Sequence, residues 1–76
     1  MTADDEILKK HSVVIAGHQT SITLENIFWS QLKIIANLDG KSLKELITEI
    51  DDLRTTNLSS AIRVYIIKRI KNYLSF

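Results

Sequence analysis

The apolar residues of this chain change their spacing once, near residue 25. Over residues 19–24, polar side chains alternate with apolar or β-branched ones, which is the period of a half-buried strand. Three large apolar residues then recur at intervals of four and three: Phe28, Leu32 and Ile35. That spacing marks one face of a helix. A strand followed directly by a helix is the predicted order, and the fold is expected to be mainly helical with a short β-ribbon.

A second apolar segment precedes this strand. Residues 12–16 are mostly β-branched and apolar, which suits a buried strand. Gly17 interrupts them, as a glycine does at a bulge or bend. The pattern leaves open whether residues 12–17 extend the ribbon or form a separate strand.

A second helix is predicted after the first. Asp39 and Gly40 end the first helix, because glycine readily adopts the left-handed backbone of a C-terminal cap. Ser42 and Glu45 stand three residues apart, the capping-box pattern that begins a helix. The second helix is expected to run to about Arg54.

The third helix carries an apolar surface that is wider than one stripe. Asn57 or Ser59 can cap its start. Its apolar residues are Leu58, Ile62, Val64, Ile66, Ile67, Ile70, Tyr73 and Leu74. A small core cannot cover so much of the circumference, so we expect this helix to pack across a dimer or to drive higher assembly.

The length of 76 residues makes a lone monomer marginal, since such a chain buries only about 60% of its unfolded surface. There is no cysteine, so disulfides and thiolate metal sites are excluded. A strand with an open edge pairs readily with another chain. We therefore expect an intertwined homodimer with antiparallel strands paired between copies. Residues 1–8 are expected to form a flexible acidic lead and residues 9–76 one domain.

Charge is segregated along the chain although the net charge is only +1. All charged residues among positions 1–8 are acidic, and all charged residues among positions 55–76 are basic. The small net charge argues weakly against nucleic acid. The apolar runs are too short to cross a membrane, and the acidic start lacks the positive charge of an export signal. We expect a cytoplasmic protein, associated with the nucleoid if it binds DNA.

The chain resembles the ribbon-helix-helix DNA-binding family, which includes the Arc and methionine repressors. The resemblance covers about residues 18–54 and rests on the strand at 19–24, the first helix, the segment 39–43 and Ile47. A longer segment, from Lys10 to Arg63, resembles a narrower group of short bacterial proteins predicted to have this fold.

This resemblance implies a homodimer whose paired strands enter the major groove of DNA. The implied base-reading residues are Gln19, Ser21 and Thr23. The implied phosphate-binding residues are Lys41, Ser42, Leu43, Lys44, Lys9 and Lys10. The implied dimer core consists of Ile22, Leu24, Phe28, Leu32, Ile35, Leu43 and Ile47.

The strand departs from many ribbon-helix-helix strands because its readers include no arginine or lysine. Attraction to phosphate would then depend on flanking lysines, with Lys33 as a further candidate. If two copies neutralise roughly 4–8 phosphates, the slope of log affinity against log salt should be about −4 to −7.

Each assignment has a structural alternative. The readers can be the solvated face of a strand, and residues 41–44 an ordinary capped helix start. The bases of the third helix can form a second DNA-facing patch or a solvated face. Trp29 is expected to pack beneath the strand or the first β segment rather than line a small-molecule pocket. His11 and His18 are not expected to share a metal within one chain, although a site between chains stays open.

Enzymatic chemistry is not expected. The chain has no glycine-rich phosphate loop, no cysteine and no recognisable serine–histidine nucleophile motif. We expect no cofactor, metal or small-molecule ligand, and the expected partners are a second copy and double-stranded DNA. Three functions remain: a DNA-binding transcriptional regulator, a protein-interaction or assembly module that keeps the fold without DNA contacts, and the antitoxin of a toxin–antitoxin pair.

Overall fold

The computed structural model describes residues 3–74 and contains a β-hairpin followed by three helices. A short 3-10 turn, Ala3–Glu6, precedes the hairpin. The elements are β1 (Leu8–Ile15), β2 (His18–Glu25), α1 (Asn26–Leu38), α2 (Leu43–Leu53) and α3 (Leu58–Tyr73). The predicted order of strand and helices is confirmed, and the segment before Gly17 is the first strand of the ribbon.

The two strands pair antiparallel within one chain, in a register that runs from Leu8 opposite Glu25 to Ile15 opposite His18. Two residues join them, and both have positive φ angles: 51° at Ala16 and 81° at Gly17. This is the signature of a type I′ turn, whose twist matches that of the flanking strands. The hairpin corrects the expectation of a ribbon formed between two copies, because one chain supplies both strands.

The turn contains a local strain at Ala16, because a side chain with a Cβ atom is disfavoured at positive φ. Ala16→Asn should raise the free energy of unfolding by about 0.5–1 kcal/mol, since asparagine tolerates this conformation and Asn-Gly is a preferred type I′ pair. Gly17→Ala should lower it by about 1 kcal/mol through backbone strain alone, because a Cβ there meets no atom within 4 Å. Urea unfolding followed by circular dichroism measures both. Equal stability of all three proteins would contradict the turn geometry.

The helix boundaries follow the predicted caps. Gly40 follows α1 with a φ of 67°. Ser42 Oγ accepts from Glu45 N at 3.0 Å, and the Glu45 carboxylate accepts from Ser42 N at 3.1 Å, which completes the capping box of α2. Asn57 rather than Ser59 caps α3, because Asn57 Oδ1 accepts the backbone N–H of Ser60 at 2.9 Å.

The core closes within a single chain. One face of the hairpin contributes Ile15, Ile22 and Leu24, and the rest comes from the three helices. The buried helical residues are Leu32, Ile35, Ala36, Leu46, Ile47, Ile50, Leu58, Ile62 and Ile66. Most residues assigned to a dimer core are therefore already buried without a second copy, while Phe28 and Leu43 are partly buried at its edge.

Candidate nucleic-acid interface

The hairpin has one face turned away from the helices, which we call the outer face. Alternation along the strands and the observed register place four cross-strand pairs on it: Leu8–Glu25, Lys10–Thr23, Ser12–Ser21 and Val14–Gln19. Apart from the half-buried Glu25, every one of these side chains is exposed. The opposite face packs on the helices through residues such as Ile22, which has no exposed surface.

The three predicted base-reading residues lie together on the outer face, at alternate positions of β2. The residues that stand opposite them were not predicted as readers: Lys10, Ser12 and Val14. The signal that could have found them is Gly17 between two β-branched segments, because a glycine in that place is compatible with a short hairpin turn. Lys10 adds to this face the basic side chain that β2 lacks.

The lysines of β1 separate onto the two faces of the hairpin. Lys10 shares the outer face with Thr23, whereas Lys9 stands opposite the buried Leu24. Lys9 also acts electrostatically on His11, which lies on the packed face. Of the two predicted phosphate-binding lysines on this strand, only Lys10 is placed beside the predicted readers.

The start of α2 is already occupied by carboxylates. Lys41 Nζ lies 2.8 Å from Glu49 Oε1, and this hydrogen bond raises the pKa of Lys41. The hydrogen bonds from Ser42 hold the pKa of Glu45 below its usual value. Leu43 and Lys44 occupy the first two helical positions, whose backbone N–H groups have no partner inside a helix. A phosphate bound here would compete with both carboxylates.

The bases of α3 do not form one free patch. Arg69 donates to both carboxylate oxygens of Asp39, at 2.6 and 2.8 Å, and to Tyr65 Oη at 2.7 Å. This pairing ties α3 to the end of α1, and it lowers the pKa of Asp39.

Arg63 also has partners. Its Nη2 donates to Ser60 Oγ at 3.2 Å, and its Nη1 lies 3.9 Å from Glu25 Oε1. Lys68 and Lys71 are exposed. The pairing of both arginines favours a solvated face on α3 over a second DNA-facing patch.

Comparison with known proteins adds the family. The sequence pattern of the ribbon-helix-helix domain family matches residues 8–70, which is most of the chain. The chain belongs to the ribbon-helix-helix family. Proteins of this family are typically DNA-binding regulators without enzymatic activity, and they usually dimerise.

A solved structure shows the same fold. An uncharacterized protein from Bordetella pertussis Tohama I matches with a TM-score of 0.84 and 24% sequence identity. The alignment covers 99% of this chain and 66% of that one. No curated protein matches. The likeness supports the fold of the ribbon-helix-helix domain, including its additional third helix.

Beneath the ribbon, His11 stacks on Trp29 with ring centroids 3.7 Å apart and planes 7° from parallel. Trp29 therefore packs against the first β segment, as predicted. His11 Nε2 is buried and has no hydrogen-bond partner among residues 3–74. Burial lowers the pKa of His11, and the charges of Lys9 and Lys33 lower it further.

This environment predicts a pH dependence of stability. An unfolded histidine titrates near pH 6.5, whereas folded His11 takes up its proton only at lower pH. The free energy of unfolding should therefore be constant above about pH 6.5 and fall as the pH drops from there through the lowered pKa. His11→Phe, which keeps a ring on Trp29, should flatten this profile. His18→Gln is the matched control, and a flattened profile in that variant alone would contradict the assignment.

Metal sites and apolar clefts are further ways in which a small domain can bind a partner. Within residues 3–74, no three His, Asp or Glu side chains are grouped to hold a metal ion. A cleft of about 380 Å³ lies between α2 and α3, with walls that include Ile50, Leu53 and Val64. Trp29 does not line this cleft.

Among residues 3–74, no helix combines the length and apolar character needed to cross a membrane.

Proposed function

We propose that this ribbon-helix-helix protein is a sequence-specific DNA-binding transcriptional regulator that inserts the outer face of its hairpin into the major groove. The observation that carries the proposal is a two-stranded ribbon with exposed, mainly polar side chains on both strands. A two-stranded ribbon has dimensions that the major groove admits. The burial of the opposite face in the core fixes which side chains face outward.

The outer face has the chemistry for reading bases. Gln19 can donate to and accept from an adenine edge, and Lys10 beside the readers can attract a phosphate. Ser21 and Thr23 can each bond several bases. Phosphates beside the groove would be held by the α2 start, through the N–H groups of Leu43 and Lys44 and the side chain of Lys44, and by Lys41 once it leaves Glu49.

The protein is proposed to act as a homodimer, so that two outer faces meet two half-sites. Because each ribbon forms within one chain, the strands need not exchange between copies. The support for a helical interface is the apolar surface left exposed on α3, where Val64 and Ile67 are about half exposed, at 50% and 49%. Of the expected acidic lead, residues 1 and 2 lie outside the described residues, residues 3–6 form the short 3-10 turn, and Leu8 already belongs to β1.

An assembly module that does not bind DNA is the second candidate. The observation that favours it is the exposed apolar rim of the α2–α3 cleft, where Leu53 is 83% exposed. This surface would recognise a protein whether or not the ribbon contacts DNA.

Fluorescence anisotropy against genomic duplexes, at two salt concentrations, tests the regulator. The wild type should select a short, roughly palindromic site. The triple change Gln19→Ala, Ser21→Ala, Thr23→Ala should abolish site preference with unchanged helicity, whereas Thr55→Ala with Thr56→Ala should bind like the wild type. Equal site preference in the triple variant would show that the ribbon is not the reader. No wild-type binding at low salt would favour the assembly module.

A further inference from the structure

The outer face carries one exposed apolar side chain next to the turn, Val14, which is 47% exposed. It stands directly opposite Gln19. We infer that Val14 and Gln19 act as one unit that recognises a single A·T base pair, with valine on the thymine methyl and glutamine on the adenine edge. This inference rests on the proposed function, and it makes β1 a specificity-determining strand.

The hydrogen-bonding pattern of the hairpin brings these two side chains close. The backbone N–H of Thr23 donates to Ser59 Oγ at 3.3 Å. The hydrogen-bonding groups of the Thr23 backbone therefore point away from β1. The direction of the backbone N–H and C=O groups alternates along a strand, so every second residue of β2 points the same way. The N–H and C=O groups of Gln19, four residues before Thr23, therefore also point away from β1, and Gln19 forms a non-hydrogen-bonded pair with Val14. Side chains in such pairs are the closest across an antiparallel ribbon, with Cβ atoms about 4.5–5.5 Å apart.

The two side chains match the two halves of one base pair. In the major groove, adenine offers the N7 acceptor and the N6 donor, and its thymine partner offers the C5 methyl group beside O4. A glutamine amide can bond adenine with both of its polar atoms, while a valine can cover the methyl. A G·C pair in the same place offers no methyl group, and its guanine offers only acceptors at N7 and O6.

The position of the pair in the hairpin leaves both side chains open to the groove. Val14 and Gln19 form the outer-face pair nearest the turn, and the turn residues are the small Ala16 and Gly17. The other end of the outer face lies beside the helices, since Glu25 immediately precedes α1 and lies 3.9 Å from Arg63. Ile15, next to the turn, is buried in the core on the opposite face. The core therefore holds this end of the hairpin, while Val14 and Gln19 stay exposed on the outer face, where they can contact base edges.

Modified bases test the pair atom by atom. Starting from the duplex that the wild type selects, one thymidine at a time is replaced by deoxyuridine, which lacks the methyl group. One deoxyadenosine at a time is likewise replaced by 7-deaza-2′-deoxyadenosine, which lacks the N7 acceptor. The wild type should lose roughly threefold with deoxyuridine and roughly tenfold with 7-deaza-2′-deoxyadenosine at the same A·T pair of each half-site.

The variants separate the two contacts. Val14→Ser should be insensitive to deoxyuridine but still sensitive to 7-deaza-2′-deoxyadenosine, and Gln19→Ala should show the reverse. Thr55→Ala should behave as the wild type. The inference would be overturned if the two base modifications weakened wild-type binding at different base pairs, or if both modifications still weakened binding in Val14→Ser and in Gln19→Ala. Either result would leave DNA binding itself intact. If the wild type selects no duplex, the proposed function fails and this inference fails with it.

Discussion

Ile35→Ala is expected to remove about 3 kcal/mol from the free energy of unfolding. Ile35 is 4% exposed and lies in the core. Deleting such a side chain forfeits its burial and leaves a cavity, at a cost of about 2–5 kcal/mol. A domain of 76 residues has a total stability of roughly 4–11 kcal/mol, so the loss is a large fraction of the total. Urea unfolding measures the loss.

The adjacent residue provides a matched control. Ile34 lies on the same helix but is 50% exposed, so the same deletion should cost less than about 1 kcal/mol in the isolated chain. The two variants should be compared at several protein concentrations. A loss for Ile34→Ala that equals the loss for Ile35→Ala at high concentration and shrinks on dilution would show that a second copy covers Ile34. A loss below about 1 kcal/mol for Ile35→Ala would contradict the core described here.

Lys10→Glu is expected to weaken DNA binding roughly tenfold or more at about 0.1 M salt. Lys10 is the basic side chain beside the readers of the outer face, and the change replaces attraction to the phosphates by repulsion. The slope of log affinity against log salt should also become shallower by about one unit for each chain that loses a phosphate contact. Anisotropy titrations over a range of salt concentrations measure both quantities.

Lys71→Glu makes the same change of charge on α3, where the side chain is also exposed. It should weaken binding much less, because Lys71 lies on the last helix rather than on the ribbon. Similar losses in the two variants would show that DNA responds to the overall charge and not to the outer face. A greater loss for Lys71→Glu would move the DNA contact to α3.

Local patterns predicted much of the fold. The alternation of polar with apolar or β-branched residues over residues 19–24 predicted which face of β2 is buried. The recurrence of large apolar residues at intervals of four and three predicted the first helix. The capping box at Ser42 and the glycine at position 40 placed a helix boundary to within a residue, because caps depend on neighbours in sequence. These are short-range interactions, which a single sequence displays directly.

Interactions between distant residues were not predictable in this way. The sequence left the hairpin turn open, because alanine rarely adopts the positive φ that Ala16 has. Without that turn, Lys10, Ser12 and Val14 had no assigned face. The pairing of Lys41 with Glu49 and of Arg69 with Asp39 depends on how the helices pack. The first pairing occupies a predicted phosphate-binding lysine, and the second occupies one of the bases of α3.

The central claim is that the outer face of an intramolecular hairpin contacts DNA. An NMR titration of the ¹⁵N-labelled protein with its selected duplex tests this most directly, because each backbone amide reports its own surroundings. The largest shift changes should fall on the strand residues of the outer face: Lys10, Ser12, Val14, Gln19, Ser21 and Thr23. Changes centred instead on α3, around Lys68 and Lys71, with the hairpin unaffected, would contradict the claim.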